Sequence, residues 1–168
     1  DSTSIHSKDE ARRLLNLPSD KFLVGVVGRL DEKKGQFEVI QAISSVKESS
    51  KNMHVVFVGD QTKNEANEYV QKLNDVIAKE LLQEFVSFLP HQSNMQKLYG
   101  AFDLVIVPSW EETFGTVTIE AMASGIPVIG SDTAGTAELL DNEKFLFQPK
   151  NSFSLSQTWL EVMNNDEL

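Results

Sequence analysis

The chain contains no cysteine, which excludes disulfides, thiolate zinc sites and cysteine nucleophiles. Its three histidines, His6, His54 and His91, lie far apart in sequence, so no metal site is expected from their spacing. Positive charge is also short: 15 Lys and Arg stand against 25 Asp and Glu, a net charge of −10. Such a chain repels a polyphosphate backbone, so nucleic acid is not an expected partner, although a local basic pocket for one small anion is compatible. No apolar run approaches the roughly 18 residues of a membrane span. The opening "DSTSIHSKDEARR" has neither the basic flank nor the apolar stretch of a signal peptide, and the sequence reads as cytoplasmic. Neither "GxGxxG" nor "GxxxxGK[ST]" occurs, which argues against a nicotinamide enzyme and against a Walker-type NTPase.

What is present is a βα rhythm. The 168 residues, 40% hydrophobic and 24% charged, suit one globular domain. Short apolar runs, "FLVGVVG" from Phe22, "MHVVFVG" from Met53, "FVSFL" from Phe85, "DLVIVP" from Asp103, "PVIG" from Pro127 and "FLF" from Phe145, read as strands. Between them, "QFEVIQAISSVKES" from Gln36 and "NEANEYVQKLNDVIAKELL" from Asn64 carry apolar residues at helical spacing. "SNMQKLYGAF" reads as a short helix with Ser93 or Asn94 as N-cap, followed by helices over about Thr116 to Ser124 and Thr136 to Leu140. Strands apolar on both faces and separated by helices predict an α/β fold, a doubly wound parallel sheet of Rossmann-like type. In such sheets ligands bind beyond the carboxyl ends of the strands.

Two of the post-strand segments carry unusual chemistry. In "GRLDEKKGQ", Gly28 permits a sharp turn, Arg29 offers a planar fork of donors, and Lys33 or Lys34 sits just before a helix start. Two cations at a helix N-terminus suit a diphosphate; the bland alternative is a solvated turn in which Asp31 and Glu32 pair with the lysines. In "PSWEETFGTVTIE", Gly115 immediately precedes a predicted helix, so the free N–H groups of Thr116 and Val117 form a second anion site. Between Glu112 and Asp132 the only charged residue is Glu120. A carboxylate in so apolar a stretch needs hydrogen-bond donors, and a sugar hydroxyl pair, such as that of a ribose, is a natural one.

These same residues carry a resemblance. "VGRLDEKKG" followed by "VPSWEETFGTVTIEAMASGIPVIGSDTAGTAELL" resembles the C-terminal, donor-binding domain of the GT-B retaining glycosyltransferases of group 1, also called glycosyltransferase family 4. The resemblance implies a hexose transferred from a nucleotide diphosphate sugar, UDP-linked by expectation, to a glycan or lipid-linked acceptor, without metal or cofactor. Position by position, Arg29 and Lys34 match the pair that grips the diphosphate beside Gly28. Glu112 matches the glutamate that contacts the donor sugar near the amides following Phe114 and Gly115, and Glu120 the one that binds the ribose. Leu89, Pro90 and His91, continuing to Gln92, resemble the wall that meets the nucleobase. Glu112 is selected over Glu111 by its distance from Glu120.

The chain departs from the family pattern at "GDQT" after the second strand, where only Gly59 remains of a glycine-rich turn, at Pro90, and at Ala134–Gly135. Glu138 fits a trailing family glutamate or a helix-capping side chain, and a structural role is expected of it. Residues 1–20 read as interdomain linker and leading helix, and 21–168 as the donor-binding domain. An N-terminal acceptor domain, further C-terminal helices and peripheral contact of the whole enzyme with the cytoplasmic face of a membrane are expected to lie outside this chain. The fragment alone is expected to be inactive. A non-catalytic nucleotide-sugar or phosphate-binding module of the same fold is the competing reading.

Overall fold

The computed structural model describes residues 7–50, 52–61 and 66–165. The expected helix start at Asn64, the first residues of the linker and the last three residues lie outside them. The strands are β1 (Phe22–Val27), β2 (Met53–Val58), β3 (Val86–Leu89), β4 (Leu104–Val107), β5 (Val128–Ser131) and β6 (Leu146–Phe147). The helices are α1 (Lys8–Leu14), α2 (Gln36–Ser49), α3 (Ala66–Lys79), α4 (Met95–Gly100), α5 (Thr116–Ala123), α6 (Ala134–Leu140) and α7 (Ser152–Met163). The strands form one parallel sheet in the order β3-β2-β1-β4-β5-β6. This is the doubly wound, Rossmann-like arrangement, and its strand order reverses between β1 and β4.

Side-chain alternation along the strands divides the interior into two cores. One face of the sheet sends Val24, Val26, Val55, Phe57, Leu104 and Ile106 against α2, α3 and α7. The other sends Leu23, Val56, Val58, Val105 and Val107 against α1, α4 and α5. All six residues of β2 are buried, as a strand covered on both faces requires. Asn94 caps α4 through its side-chain oxygen, which accepts from the Lys97 N–H at 2.9 Å. No helix among the described residues is long and apolar enough to cross a membrane.

Three features differ from the sequence reading. Helix α7 joins the core through Leu155, Trp159 and Val162, all buried, and its i, i+4, i+7 spacing places them on one face. Helix α6 begins at Ala134, two residues before the expected start, because the Gly135 N–H is already turned to donate to the Glu112 carbonyl at 2.9 Å. Glu138 therefore lies inside α6, exposed, and caps nothing. At the opposite end of the sheet, Arg12 of α1 is almost fully buried and ties the leading helix to the strand starts. Its Nη2 donates to Asp103 Oδ2 at 2.6 Å and its Nε to the Ala101 carbonyl at 2.9 Å.

Candidate functional site

The loop after β1 is built by its own side chains. Asp31 Oδ1 accepts from the Lys33 N–H at 2.9 Å and caps a single 3-10 turn over Glu32–Lys34. Gly35, at φ +75°, then swings the chain into α2, and a Cβ there would overlap the Pro108 carbonyl oxygen, so only glycine fits. Gln36 Nε2 donates to the Arg29 carbonyl at 2.7 Å, fixing the loop from behind. Asp31 is thus used as a cap and Glu32 faces Lys72 at 3.5 Å. The mutual pairing of Asp31 and Glu32 with Lys33 and Lys34 does not form. Arg29 is exposed and Lys34 half-buried with its stem beside Gly28. Neither cation has an ion-pair partner among the described residues.

The loop after β4 docks onto this one across the point where the strand order reverses. The Trp110 N–H donates to the Lys33 carbonyl at 2.8 Å, and the Trp110 indole donates to Glu38 Oε1 at 3.1 Å while the Lys150 ammonium sits 4.3 Å from the ring centroid. Ser131 Oγ donates to the Ser109 carbonyl from β5. Glu112, half-buried, accepts the Gly115 N–H on Oε1 at 3.1 Å. Gly115 at φ +64° starts α5 with no side chain capping it. The N–H groups of Thr116 and Val117 have no acceptor among the described residues, so the dipole of α5 opens outward beside Phe114, which is 80% exposed. The first turn of α2 is less open than expected, because its Phe37 N–H is taken by the Tyr69 hydroxyl at 3.2 Å.

Glu120, in the second turn of α5, is half-buried and accepts from the Tyr99 hydroxyl on Oε2 at 2.9 Å. Tyr99 is fully buried on α4. Burial pushes its hydroxyl pKa far up, and the bond and charge of Glu120 push it the same way, so the proton stays on the tyrosine. The lone carboxylate of the apolar stretch thus has a donor from the protein for one oxygen, while Oε1 has none among the described residues.

The wall after β3 is more committed than expected. The Leu89 carbonyl accepts from the Gly59 N–H at 3.0 Å, the Pro90 carbonyl from Gln92 Nε2 at 2.9 Å, and the His91 N–H donates to Asp60 Oδ1 at 3.0 Å. Three of the backbone groups expected to face a nucleobase are therefore engaged within the protein. This segment leaves the Pro90 ring and the His91 imidazole exposed. Asp60, which stands where the family pattern has a glycine-rich turn, is the residue that holds this loop.

Sequence reasoning named the candidate charged groups and did not name the residues that bond to them or to their loops: Tyr99, Asp60 and the Trp110–Glu38 pair. Each support comes from a different βα unit from the residue it holds, so no local spacing marks it. A separate concavity is lined by Phe37 of α2 and by residues of α3, where Lys72 lies 4.1 Å from the Phe37 ring centroid and is paired to Glu32.

A family model described as glycosyl transferases group 1 matches residues 7–168. A D-inositol 3-phosphate glycosyltransferase of Stackebrandtia nassauensis is 32% identical over 131 residues, covering 74% of this chain and 29% of that protein. The crystal structure of Anabaena HepE in complex with UDP and glucose superposes with a TM-score of 0.86 at 30% identity, covering 98% of this chain and 44% of that one. HepE in complex with UDP-glucose gives a TM-score of 0.84. The C-terminal domain of a glycosyl transferase group 1 family protein, LpcC, from Francisella tularensis gives a TM-score of 0.84 at 22% identity, covering 96% of this chain and 85% of that one, which speaks to the fold. The chain therefore spans less than half the length of these whole proteins and most of one isolated C-terminal domain.

Proposed function

Because the chain belongs to the glycosyl transferases group 1 family, we propose that it is the donor-binding domain of a retaining, family 4 hexosyltransferase. Its donor is a nucleoside diphosphate sugar, and the complexes of HepE with UDP and UDP-glucose favour UDP. The observation that carries this reading is a pair of cations, Arg29 and Lys34, without an ion-pair partner among the described residues, in a loop that the Trp110–Lys33 bond ties to the loop leading into the open first turn of α5. Together they supply the positive potential that a diphosphate requires, with no metal ion needed to neutralise it.

In the reaction, an acceptor hydroxyl oxygen bonds to the anomeric carbon as the bond from that carbon to the β-phosphate oxygen breaks with its electron pair on that oxygen, and the hydroxyl proton passes to the departing diphosphate. Arg29 and Lys34 stabilise the charge that develops there, a contribution largest in the transition state. Thr116 and Val117 present backbone donors to the diphosphate. Glu112, fixed by the Gly115 N–H, turns its remaining oxygen to the donor sugar, and Glu120 holds the ribose. The acceptor, a glycan or a lipid-linked sugar, belongs to the rest of the enzyme, as does any contact with a membrane face. We place the enzyme in the cytoplasm and expect this chain alone to be inactive.

Calorimetry with UDP, GDP and ADP in the presence of a chelator tests the reading. UDP is expected to bind without divalent cation, and Glu112→Gln to leave UDP affinity within about twofold while weakening UDP-glucose by about tenfold or more, the worth of a charge-assisted hydrogen bond. Absence of binding by all three nucleotides, or binding abolished by the chelator, would overturn the proposal. UDP-glucose binding unaffected by Glu112→Gln would reassign Glu112 to holding the Gly115 turn ahead of α5.

A further inference from the structure

Tyr99 lies on α4, away from the loops that carry the site, yet its hydroxyl reaches Glu120 Oε2 at 2.9 Å. The ring is fully buried among Leu98, Phe102 and Ala121 in the core on the α1, α4 and α5 side of the sheet. It cannot swing away without opening that core, so the hydroxyl is a fixed point. A carboxylate accepts and never donates, and the hydroxyl hydrogen can serve only one acceptor. The bond therefore assigns the two oxygens of Glu120 different tasks: Oε2 is held from the buried side, and Oε1 is left for what lies outside.

We propose that Tyr99 is a positioning residue for ribose recognition, holding the Glu120 carboxylate so that Oε1 faces the sugar hydroxyls of the bound nucleotide. The inference rests on the reading that Glu120 holds the ribose, and it adds the residue that decides how. A freely rotating glutamate would lose side-chain entropy on binding and could turn either edge to either hydroxyl. A held one offers a single oxygen in a single direction, so discrimination between a ribose and a deoxyribose depends on Tyr99 although it never touches the ligand. Burial, the bond to Glu120 and its charge all keep the hydroxyl protonated, so it is the donor in this pair.

The competing role is a bond that merely staples α4 to α5. The two roles separate in one titration series, using UDP and 2′-deoxy- and 3′-deoxy-UDP with the parent chain and the variants Tyr99→Phe, Glu120→Gln and the double variant. The parent chain is expected to prefer UDP over at least one deoxy analogue by about tenfold to a hundredfold. Tyr99→Phe keeps the ring in the core; it should erase most of that preference by weakening UDP while leaving the deoxy analogue nearly unchanged. The double variant should be no worse than Glu120→Gln alone, since Tyr99 acts only through Glu120. A Tyr99→Phe chain with lower unfolding stability and an unchanged UDP to deoxy-UDP ratio would overturn the inference while leaving the Glu120 assignment intact. An unchanged ratio in Glu120→Gln would overturn the ribose assignment itself, and this inference with it.

Discussion

The two ends of the sheet treat charge in opposite ways. Where the strands begin, every charge of the central cluster is matched: Asp103 accepts from Lys8 at 2.6 Å, from Arg12 at 2.6 Å and from the Leu23 N–H at 2.8 Å. Arg12 spends its other donors on the carbonyls of Ala101, Ser19 and Lys21. His54 is likewise closed, its Nδ1–H donating to the Glu84 carbonyl at 3.0 Å and its Nε2 accepting from Ser87 Oγ at 2.6 Å. Where the strands finish, and among the described residues, Arg29 and Lys34 have no ion-pair partner, Glu112 and Glu120 each have one oxygen bonded, and α5 opens with bare N–H groups. A fold gains nothing from charges left unmatched at a half-buried rim. The saturated end contributes stability, and the unsaturated end is where the proposed donor site lies.

The severest way to break this contrast is to open the saturated end. Asp103→Ala strands the buried Arg12 guanidinium without its carboxylate, and a loss of about 3–5 kcal/mol in unfolding free energy is expected from denaturant titration. UDP affinity per folded molecule should be unchanged; a matching loss of affinity in fully folded protein would show that the two ends are coupled. The converse experiment acts at the rim. Lys34→Ala should weaken UDP by about 1.5–3 kcal/mol, tenfold to a hundredfold, yet shift unfolding by no more than about 0.5 kcal/mol. Lys33→Ala is the control, since it is the Lys33 carbonyl that the structure uses, and an equal effect from both lysines would dissolve the distinction between them.

The smallest effect concerns pH. Burial lowers the His54 pKa below 6.5, Lys21 adds to this, and the Glu84 carbonyl opposes it without prevailing. The unfolded chain therefore takes up this proton first as pH falls. The contribution of His54 to stability is complete above 6.5, declines as pH drops below it, and levels off once the folded state also protonates. Unfolding midpoints at pH 8 and pH 5.5 should differ less in His54→Gln than in the parent chain, and an equal difference would assign the acid sensitivity elsewhere. Asp103 acts lower on the scale. Burial alone would raise its carboxyl, but Lys8, the Leu23 N–H and Arg12 together hold it below 3.8, so its contribution is lost only as pH falls through that lower value.

This contrast also explains what was legible in the sequence. Strand positions follow from apolar runs bounded by glycine and proline, and the loops of interest from charged residues placed just after them, so Arg29, Lys33 or Lys34, and Glu120 stand out as candidates, whereas the choice of Lys34 and of Glu112 over Glu111 rests on the family resemblance. Helix α7 was obscured because Ser152, Ser154 and Ser156 weaken its propensity while Leu155, Trp159 and Val162 carry its packing against the α2 side of the sheet. Tyr99 was hidden for a different reason. A buried tyrosine in "KLYGAF" reads as core, which it is; only the fold brings its hydroxyl to a carboxylate 21 residues later in the chain. Asp60 likewise looks like a departure from a glycine turn until His91 is found bonded to it.

The bond between the Trp110 N–H and the Lys33 carbonyl has a consequence for how such a sequence can drift. Because the acceptor is main chain, substitution at position 33 is nearly silent for the link, and many side chains would serve there equally well. Length is another matter. Adding or removing one residue between Gly28 and Gly35 would turn that carbonyl away from Trp110 and pull Gly35 off Pro108, where no larger residue fits. At position 110 proline is the forbidden substitution, since it alone removes the donor. The segment should therefore tolerate exchange of letters far more readily than a change in their number.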